Sequence, residues 1–351
     1  EAAGKALSDA GARIGDIENI ITVSNDFWDG RTISSMAIQD AAGSWGRDIS
    51  TVEGDGTFGI LYGMMRILSG SFNTTLVVCH SKGSEGEMNL ITNAMFDPLF
   101  QRSLGIDAVS SAALQARAYM DLSGAREEDF ALVSVKNHGN ALNNPMSQLA
   151  MELTVENVMA SRKVADPLKL LDCSPISDGA AAVVLSNRKG LSRFKKDPVW
   201  IKGVGHCADS YSLGYRDLAR PRALNNAAEK AYAMAGIKKP LKEIDAAEIY
   251  DAFSYMEPLW YEGLGFSAEG KGVELLRDGA TSMGGAIPVN PSGGVISAHA
   301  VLVAGMVRVI EAVLQVRGEA GKRQVKGAKT ALAHGINGPC GQAHCVYVVG
   351  S

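Results

Sequence analysis

The chain has 351 residues, a formal net charge of -4 and 46% hydrophobic residues. This length allows one large core or two smaller ones. The slightly acidic balance offers no basic face for nucleic acid or anionic lipid, so we expect neither as a partner. No apolar run approaches the roughly 20 residues of a membrane span, and the first residues lack a signal-peptide pattern. These features predict a cytoplasmic protein that does not contact a membrane.

The cysteines are five in number and scattered along the chain. They lack the paired CxxC spacing of a zinc site and the density of a disulfide scaffold, so we expect reduced thiols and no metal site. Cys79, Cys173 and Cys207 lie in or beside predicted strands, where a buried structural thiol is the ordinary role.

The first half alternates predicted strands and helices. Residues 18–26 and 75–82 predict buried strands, and residues 34–43 and 56–70 predict helices. This alternation is typical of βαβ units around a largely parallel sheet, which makes the fold class α/β. Residues 1–11 predict a helix with no strand before it. We therefore expect a first strand, and with it part of a natural N-terminus, to be absent.

The second half repeats this order. Residues 172–186 and 199–206 predict strands, residues 223–236 predict a helix, and further helix and strand patterns follow. We therefore expect two pseudo-duplicated α/β halves. The predicted boundaries are as follows: an N-terminal half at 1–82 and about 140–171, a loop or cover region at 83–140, and a C-terminal half at 172–351. The cover region includes KNHGNALNNPMSQ, whose Asn, Gly and Pro residues favour turns.

The segment NPSGGVISAH (290–299) is the most specific motif. Ser292, Gly293 and Gly294 let the backbone approach a ligand closely, and His299 follows at the entry to a helix. A lone histidine is usually structural. One that ends a glycine-rich turn before a helix is a candidate site residue.

Four motifs in order along the chain resemble the thiolase superfamily, particularly its archaeal and sterol-carrier-type branch. They are DCSPISDGAAAVVLS (172–186), YDAF (250–253), NPSGG followed by a histidine, and RGEAGKRQV (317–325). Benzoylsuccinyl-CoA thiolase and the large subunits of steroid side-chain aldolases are the members that the chain resembles. The resemblance implies a five-layer αβαβα fold, a homodimer and a tunnel for acyl-CoA. Coenzyme A is then a substrate, and no cofactor is bound permanently.

The resemblance also implies roles for individual residues. His299 matches the family histidine that helps to activate the nucleophile and forms an oxyanion hole. Tyr250 stands where the family has Asn or His, and its phenol can donate to the same oxygen or simply pack in the core. Contacts with the substrate are expected from a further set of positions, namely Ser292, Gly293, Gly294, Gly341 and His138, the last in a loop matching one that covers coenzyme A.

The nucleophile is where the chain departs from the family. Gly56, in VEGDGTFG, stands at the position of the family cysteine and cannot accept an acyl group. One hypothesis relocates the sulfur to Cys340 in NGPCGQAHC, although strict alignment places the second family cysteine at Asn337. Cys340 can also be an inert residue of a tight loop. The first choice is thiolysis of a β-ketoacyl-CoA, or the reverse condensation, with His299, Cys340 and Tyr250 as catalytic residues.

Two further functions stay open. A cysteine-independent retro-aldol cleavage of a β-hydroxyacyl-CoA needs only an acid–base pair, for which Tyr250 and His299 are the candidates. Asp55 is either an additional base or the cap of the helix that starts near Thr57, and His334 either lines the cavity or packs. The other function is that of a non-catalytic acyl-CoA-binding subunit. Relatives of this type work with a small zinc-ribbon and OB-fold subunit, which the resemblance makes an expected partner.

Overall fold

The computed structural model describes residues 1–351. Thirteen α-helices and ten strands follow one another along the chain. The helices are α1 (Ala2–Ala10), α2 (Asp26–Asp29), α3 (Ser34–Ala41), α4 (Gly56–Leu68), α5 (Met88–Ala94), α6 (Ala108–Ser123), α7 (Glu127–Ala141), α8 (Val155–Ala160), α9 (Arg222–Ala235), α10 (Pro240–Glu243), α11 (Met256–Gly263), α12 (Gly272–Arg277) and α13 (Ala304–Arg317). The strands are β1 (Asn19–Val23), β2 (Asp48–Val52), β3 (Thr74–Lys82), β4 (Lys163–Ala165), β5 (Leu168–Lys169), β6 (Asp178–Ser186), β7 (Trp200–Ala208), β8 (Ala246–Glu248), β9 (Thr330–Asn337) and β10 (Ala343–Gly350). No helix has both the length and the apolar character that spanning a bilayer requires.

The chain forms two compact units, each assembled from three separate stretches of sequence. Unit 1 consists of Glu1–Glu87, Ile176–Pro198 and Ala300–Ile310. Unit 2 consists of Met88–Pro175, Val199–His299 and Glu311–Ser351.

Unit 1 contains a four-stranded sheet in the order β2-β1-β3-β6. β1 is parallel to both of its neighbours, which confirms the predicted parallel arrangement, whereas β6 runs antiparallel to β3. Helix α4 packs closely on this sheet because Gly59 and Gly63 face it. A Cβ atom at Gly59 would lie only 2.2 Å from Cγ2 of Val23, so glycine is required at this contact.

Unit 2 contains a four-stranded sheet in the order β7-β10-β9-β8. β10 is antiparallel to β7 and β9, and β8 is parallel to β9. Helix α9 lies directly on β7, where Cβ atoms at Gly203 and Gly205 would fall 2.1 and 2.0 Å from backbone oxygens of the helix. The YDAF motif (250–253) begins two residues beyond the end of β8, at the edge of this sheet.

The two sheets share part of their connectivity. In unit 1 the chain enters at β1, forms β2 on one side and β3 on the other, and adds β6 antiparallel to β3. In unit 2, β8 has a parallel bridge from Val289 on one side and β9 on the other, and β10 is antiparallel to β9, whereas the earlier strand β7 lies beside β10 and has no counterpart in unit 1. The repeated order supports the predicted duplication, which was not detectable from sequence identity between the halves.

Two local predictions were wrong. Residues 136–141, in the segment predicted to form turns, lie in helix α7, because the buried side chains of Asn137 and His138 find hydrogen-bonding partners there. The strand predicted over 172–186 begins only at Asp178. The residues before it, around Pro175, are irregular, and they pair instead with the chain after β8.

Candidate active site

Tyr250 lies two residues beyond the end of β8, in a buried position where 4% of its surface is exposed. Its backbone carbonyl accepts a hydrogen bond from Nε1 of the fully buried Trp260 at 2.8 Å. The N–H of Ile249 donates to Oδ1 of Asn290 at 2.8 Å. Hydrogen bonds on both sides therefore fix the main chain around Tyr250, and with it the direction of the phenol.

His299 ends the turn segment 290–299, whose backbone is unusual. Asn290, Gly293 and Gly294 all have positive φ, at 52°, 98° and 69°. A Cβ atom at Gly294 would lie 2.5 Å from both carboxylate oxygens of Asp251, so this position requires glycine for space as well as for conformation. The observed role of Gly294 is therefore to let the turn close on Asp251.

Buried carboxylates hold this turn in place. Glu248 accepts from the N–H and the hydroxyl of Ser292, and Asp251 accepts from the N–H of Val295. Glu257 accepts from Nδ2 of Asn290 at 2.8 Å and pairs with Nζ of Lys136 at 2.6 Å. Hydrogen bonds to three buried carboxylates hold the first residues of the turn in one geometry. The turn then determines where His299 lies.

Tyr250 and His299 form the central contact of the site. The phenol oxygen lies 2.7 Å from Nε2 of His299, and the two rings are nearly perpendicular, at 89°. On the opposite side of the imidazole, Oγ of Ser174 lies 2.9 Å from Nδ1. The result is a row of three groups, hydroxyl, imidazole and phenol, that can pass a proton along hydrogen bonds.

The electrostatics of His299 favour its neutral form. Burial lowers the pKa of His299 to about 4, although part of the residue is exposed. A neutral imidazole has one donor nitrogen and one acceptor nitrogen. At neutral pH His299 can therefore accept a proton from one neighbour while it donates to the other.

Cys340 has a different set of neighbours. It has a positive φ of 53° and packs with Phe96 and Leu213. Its carbonyl accepts from Gln115, and burial raises the pKa of its thiol to about 11, partly offset by Ser111 and Arg216. The structure thus joins His299 to Tyr250 and Ser174, and joins Cys340 to another group of residues.

His334 and His344 form a buried pair beside Tyr250. Nε2 of His334 lies 2.9 Å from Nδ1 of His344, and both rings contact Trp260. The N–H of Tyr250 points at Nδ1 of His334 over a long 3.5 Å. Burial lowers the pKa of both histidines, that of His344 to about 3. His334 is therefore a neutral group whose Nδ1 faces the backbone N–H of Tyr250.

Three other predicted site residues lie in unit 2, outside the row formed by Ser174, His299 and Tyr250. Asn337 is exposed at the end of β9, and Gly341 has a positive φ that brings it against the ring of His344. His138 lies in helix α7 and not in a loop, with Nδ1 at 2.8 Å from the carbonyl of Leu149. Burial lowers the pKa of His138.

The two predicted positions of unit 1 lie at the start of α4. Asp55 caps this helix, accepting from the N–H of Thr57 and, at the start of α13, from the N–H of Gly305, both at 2.9 Å. Burial raises the pKa of Asp55 to about 6. At Gly56 a Cβ atom would lie 2.5 Å from Cβ of Met306, so no side chain fits there without movement.

Sequence reasoning missed Ser174, although it lies in a motif that the resemblance had singled out. The hydroxyl of Ser174 contacts a histidine 125 residues away, and only the folded chain reveals that partner. No cluster of three or more His, Cys, Asp or Glu side chains has an arrangement suited to a metal ion.

Comparison with known proteins supports the resemblance to thiolases. Residues 205–351 match the thiolase C-terminal domain-like family. The chain is 44% identical to an acetyl-CoA acetyltransferase of Methanothermobacter thermautotrophicus over 70% of this chain and 64% of that protein. It is 34% identical to the benzoylsuccinyl-CoA thiolase subunit BbsB of Thauera aromatica, over 65% of this chain and 60% of the subunit. The chain thus spans less than two thirds of these relatives, and these matches confirm the resemblance to the thiolase superfamily.

Two solved structures share the fold of this chain. The chain is similar to the Ltp2-ChsH2(DUF35) aldolase, with a TM-score of 0.84, 25% identity and coverage of 99% of this chain and 90% of that one. An SCP2-thiolase-like protein type 1 of Mycobacterium smegmatis shares the fold, with a TM-score of 0.73 and 18% identity over 100% of this chain and 74% of that one. The fold is therefore the predicted thiolase-like α/β fold.

Proposed function

We propose that this protein breaks or forms a carbon–carbon bond of an acyl-CoA by aldol chemistry that needs no cysteine. Its substrate in the cleavage direction is a β-hydroxyacyl-CoA. The observation that carries this proposal is the 2.7 Å contact between the phenol of Tyr250 and Nε2 of His299. A phenol in contact with a neutral imidazole is an acid–base pair, which is what retro-aldol cleavage requires.

The surroundings of Gly56 support a route without an acyl-enzyme at that position. Glycine has no nucleophilic side chain, and Cβ of Met306 occupies the space that a larger residue would need. The N–H of Gly56 also donates to the carbonyl of Leu302 at 2.7 Å, which draws the start of α4 against this segment. Neighbouring residues have therefore closed the position around glycine.

The state of Cys340 supports the same route. A thiol with its pKa raised to about 11 is almost entirely protonated at neutral pH, and the thiol is a much weaker nucleophile than the thiolate. Its thiol forms a hydrogen bond with Ser111 and interacts with the charge of Arg216, and these contacts offset only part of the effect of burial.

The proposed cleavage moves one proton and one electron pair. The β-hydroxyl proton passes to the phenol oxygen of Tyr250 while the phenol proton passes to Nε2 of His299. The electrons of the carbon–carbon bond form the acyl-CoA enolate, and the other fragment leaves as a ketone or aldehyde. The low pKa of His299 makes the imidazolium a strong acid. It therefore returns the proton through Tyr250 to the enolate carbon, and the overall reaction is proton-neutral.

Thiolysis remains the second candidate function because of one specific similarity. The relative with 44% identity is named an acetyl-CoA acetyltransferase, and Cys340 lies in the glycine-rich loop where the family has a cysteine.

The names Ltp2-ChsH2 aldolase and subunit BbsB support the proposal that a partner subunit assembles with this chain. We also propose a homodimeric core and coenzyme A esters as substrates.

Parallel assays on a panel of acyl-CoA esters separate these functions. We expect cleavage of β-hydroxyacyl-CoA without added free coenzyme A, and a fall of about 100-fold or more in kcat for Tyr250→Phe. Cys340→Ala is the control variant and is expected to retain activity. Activity that requires free coenzyme A, disappears in Cys340→Ala and leaves an acyl group on Cys340 in peptide mass spectra establishes thiolysis instead. Binding of the esters without turnover, with and without a partner subunit, favours a non-catalytic subunit.

A further inference from the structure

Ser174 is held in a defined position by the chain that follows β8. Its N–H donates to the carbonyl of Ala252 at 2.9 Å. The preceding residue, Cys173, forms an antiparallel bridge with Phe253. The hydroxyl of Ser254 donates to Oδ1 of Asp172 at 2.7 Å. The segment that carries Ser174 is thus bound, residue by residue, to the segment that carries Tyr250.

The hydroxyl of Ser174 has one protein partner, Nδ1 of His299. A neutral imidazole that contacts two hydroxyls can carry its proton on either nitrogen, and the two contacts decide which. A phenol, with an ordinary pKa near 10, is a far stronger acid than an aliphatic hydroxyl. The shorter contact, 2.7 Å, is the one to Tyr250. Both facts favour donation from the phenol to Nε2, which leaves the proton of His299 on Nδ1.

We propose that Ser174 is a positioning residue that accepts the Nδ1–H of His299 and thereby holds Nε2 as the acceptor that faces Tyr250. This inference rests on the proposed function for its effect on turnover, but not for its effect on the imidazole. Without the hydroxyl of Ser174, the ring loses the partner that fixes its tautomer and its rotation. With the proton on Nε2, the imidazole cannot take the phenol proton, and the first step of cleavage stops.

Nitrogen NMR of the histidine side chains tests this proposal without any substrate. The protein is labelled with ¹⁵N-histidine, and His299→Gln identifies the signals of His299 among the six histidines. At pH 7 we expect the shifts of a neutral ring protonated on Nδ1. Ser174→Ala is expected to abolish this single-tautomer signature, and Ser174→Thr, which keeps a hydroxyl, to preserve it. Ser123→Ala deletes a half-buried serine hydroxyl of the same unit that donates to the carbonyl of Tyr119 and accepts from the N–H of Ala125, and it serves as the matched control.

Kinetics of the same variants supply the second arm. We expect Ser174→Ala to lower kcat by about 10-fold or more, with little change in KM, and Ser174→Thr to restore most of the loss. A Ser174→Ala protein that keeps the Nδ1–H signature overturns the proposal, as does a wild-type ring protonated on Nε2. If the wild type cleaves no β-hydroxyacyl-CoA, the proposed function fails. The NMR experiment needs no substrate, so it tests the role of Ser174 in fixing the tautomer of His299 whatever the outcome of the activity assay.

Discussion

Trp260 and Tyr250 are joined by a hydrogen bond from the indole Nε1 to the tyrosine carbonyl, 2.8 Å long and fully buried. Trp260→Phe removes this donor and leaves an aromatic ring in nearly the same space. We expect a loss of about 1–3 kcal/mol in the free energy of unfolding, because the carbonyl of Tyr250 is left buried without its partner. Urea unfolding measures this loss, and kcat is expected to fall with it.

The matched control is Trp45→Phe, since Trp45 is 89% exposed. It is expected to change stability by less than about 0.5 kcal/mol. Equal effects of the two substitutions, or an unchanged kcat in Trp260→Phe, contradict the role given to this hydrogen bond.

The closed space at Gly56 leads to a second prediction. Gly56→Cys introduces a cysteine at the position where the resemblance to thiolases places the nucleophile. Its Cβ, however, would lie 2.5 Å from Cβ of Met306. We expect a destabilised protein, by about 1–3 kcal/mol, that forms no acyl-enzyme on incubation with acyl-CoA. Thermal unfolding and intact-protein mass spectrometry are the two measurements.

A second helical glycine supplies the comparison. Gly139, in α7, has no atom within 4 Å of the position where a Cβ would be built. Gly139→Ala is therefore expected to be neutral or slightly stabilising, because alanine has the higher helix propensity. A stable Gly56→Cys protein that is readily acylated would show that the position is still open to chemistry.

The sequence predicted part of this site, for identifiable reasons. Tyr250 and His299 each lie in a motif with its own local geometry, so both could be named before their contact was known. The capping role of Asp55 was also readable, because an Asp two residues before Thr57 at a helix start is a local signal, and the structure confirms it. In contrast, the surroundings of Cys340 come from residues as distant as Phe96 and Leu213, which no local pattern connects.

The same distinction explains the errors. Residues 136–141 have turn-forming composition, but the carboxylates of Asp251 and Glu257 bind the side chain of Asn137 within a helix. Those partners lie more than a hundred residues further along the chain, so local propensity was overridden by tertiary hydrogen bonds. Ser174 was missed for the same reason, since an isolated serine carries no sign of which ring it contacts.

The pKa of His299 predicts how stability depends on pH. Burial lowers this pKa from about 6.5 to about 4, so between these values the unfolded chain binds a proton that the folded protein does not. The contribution of His299 is therefore fully present above pH 6.5 and is lost as the pH falls toward 4. The change amounts to roughly 3 kcal/mol as an upper bound, because part of the residue is exposed.

Urea unfolding of the wild type and of His299→Gln at pH 4, 5, 6 and 7 measures this term. The difference in unfolding free energy between the two proteins is expected to decrease as the pH is lowered. In the pH–rate profile of the wild type, kcat is expected to show no inflection between pH 6 and 7. A difference that does not vary with pH, or a protonation step at pH 6.5 in the rate, is inconsistent with a buried neutral His299.

Asp251 controls the turn that carries His299. Its Oδ1 accepts from the N–H of Val295, its Oδ2 accepts from Nδ2 of Asn137, and Gly294 lies directly against the carboxylate. Asp251→Asn replaces one of these acceptor oxygens with an NH₂ group that must face another donor. We expect a loss of about 2–4 kcal/mol in unfolding free energy, because a buried network loses a partner and gains a repulsive contact. Since the turn fixes His299, kcat is expected to fall as well, even at temperatures where the variant is fully folded.

Asp278→Asn, at an exposed position just beyond α12, is the control and should change neither quantity. Circular dichroism melting and turnover at 10–15 °C below the measured midpoint separate the two effects. An Asp251→Asn protein with wild-type turnover under those conditions means that the turn holds His299 without this carboxylate.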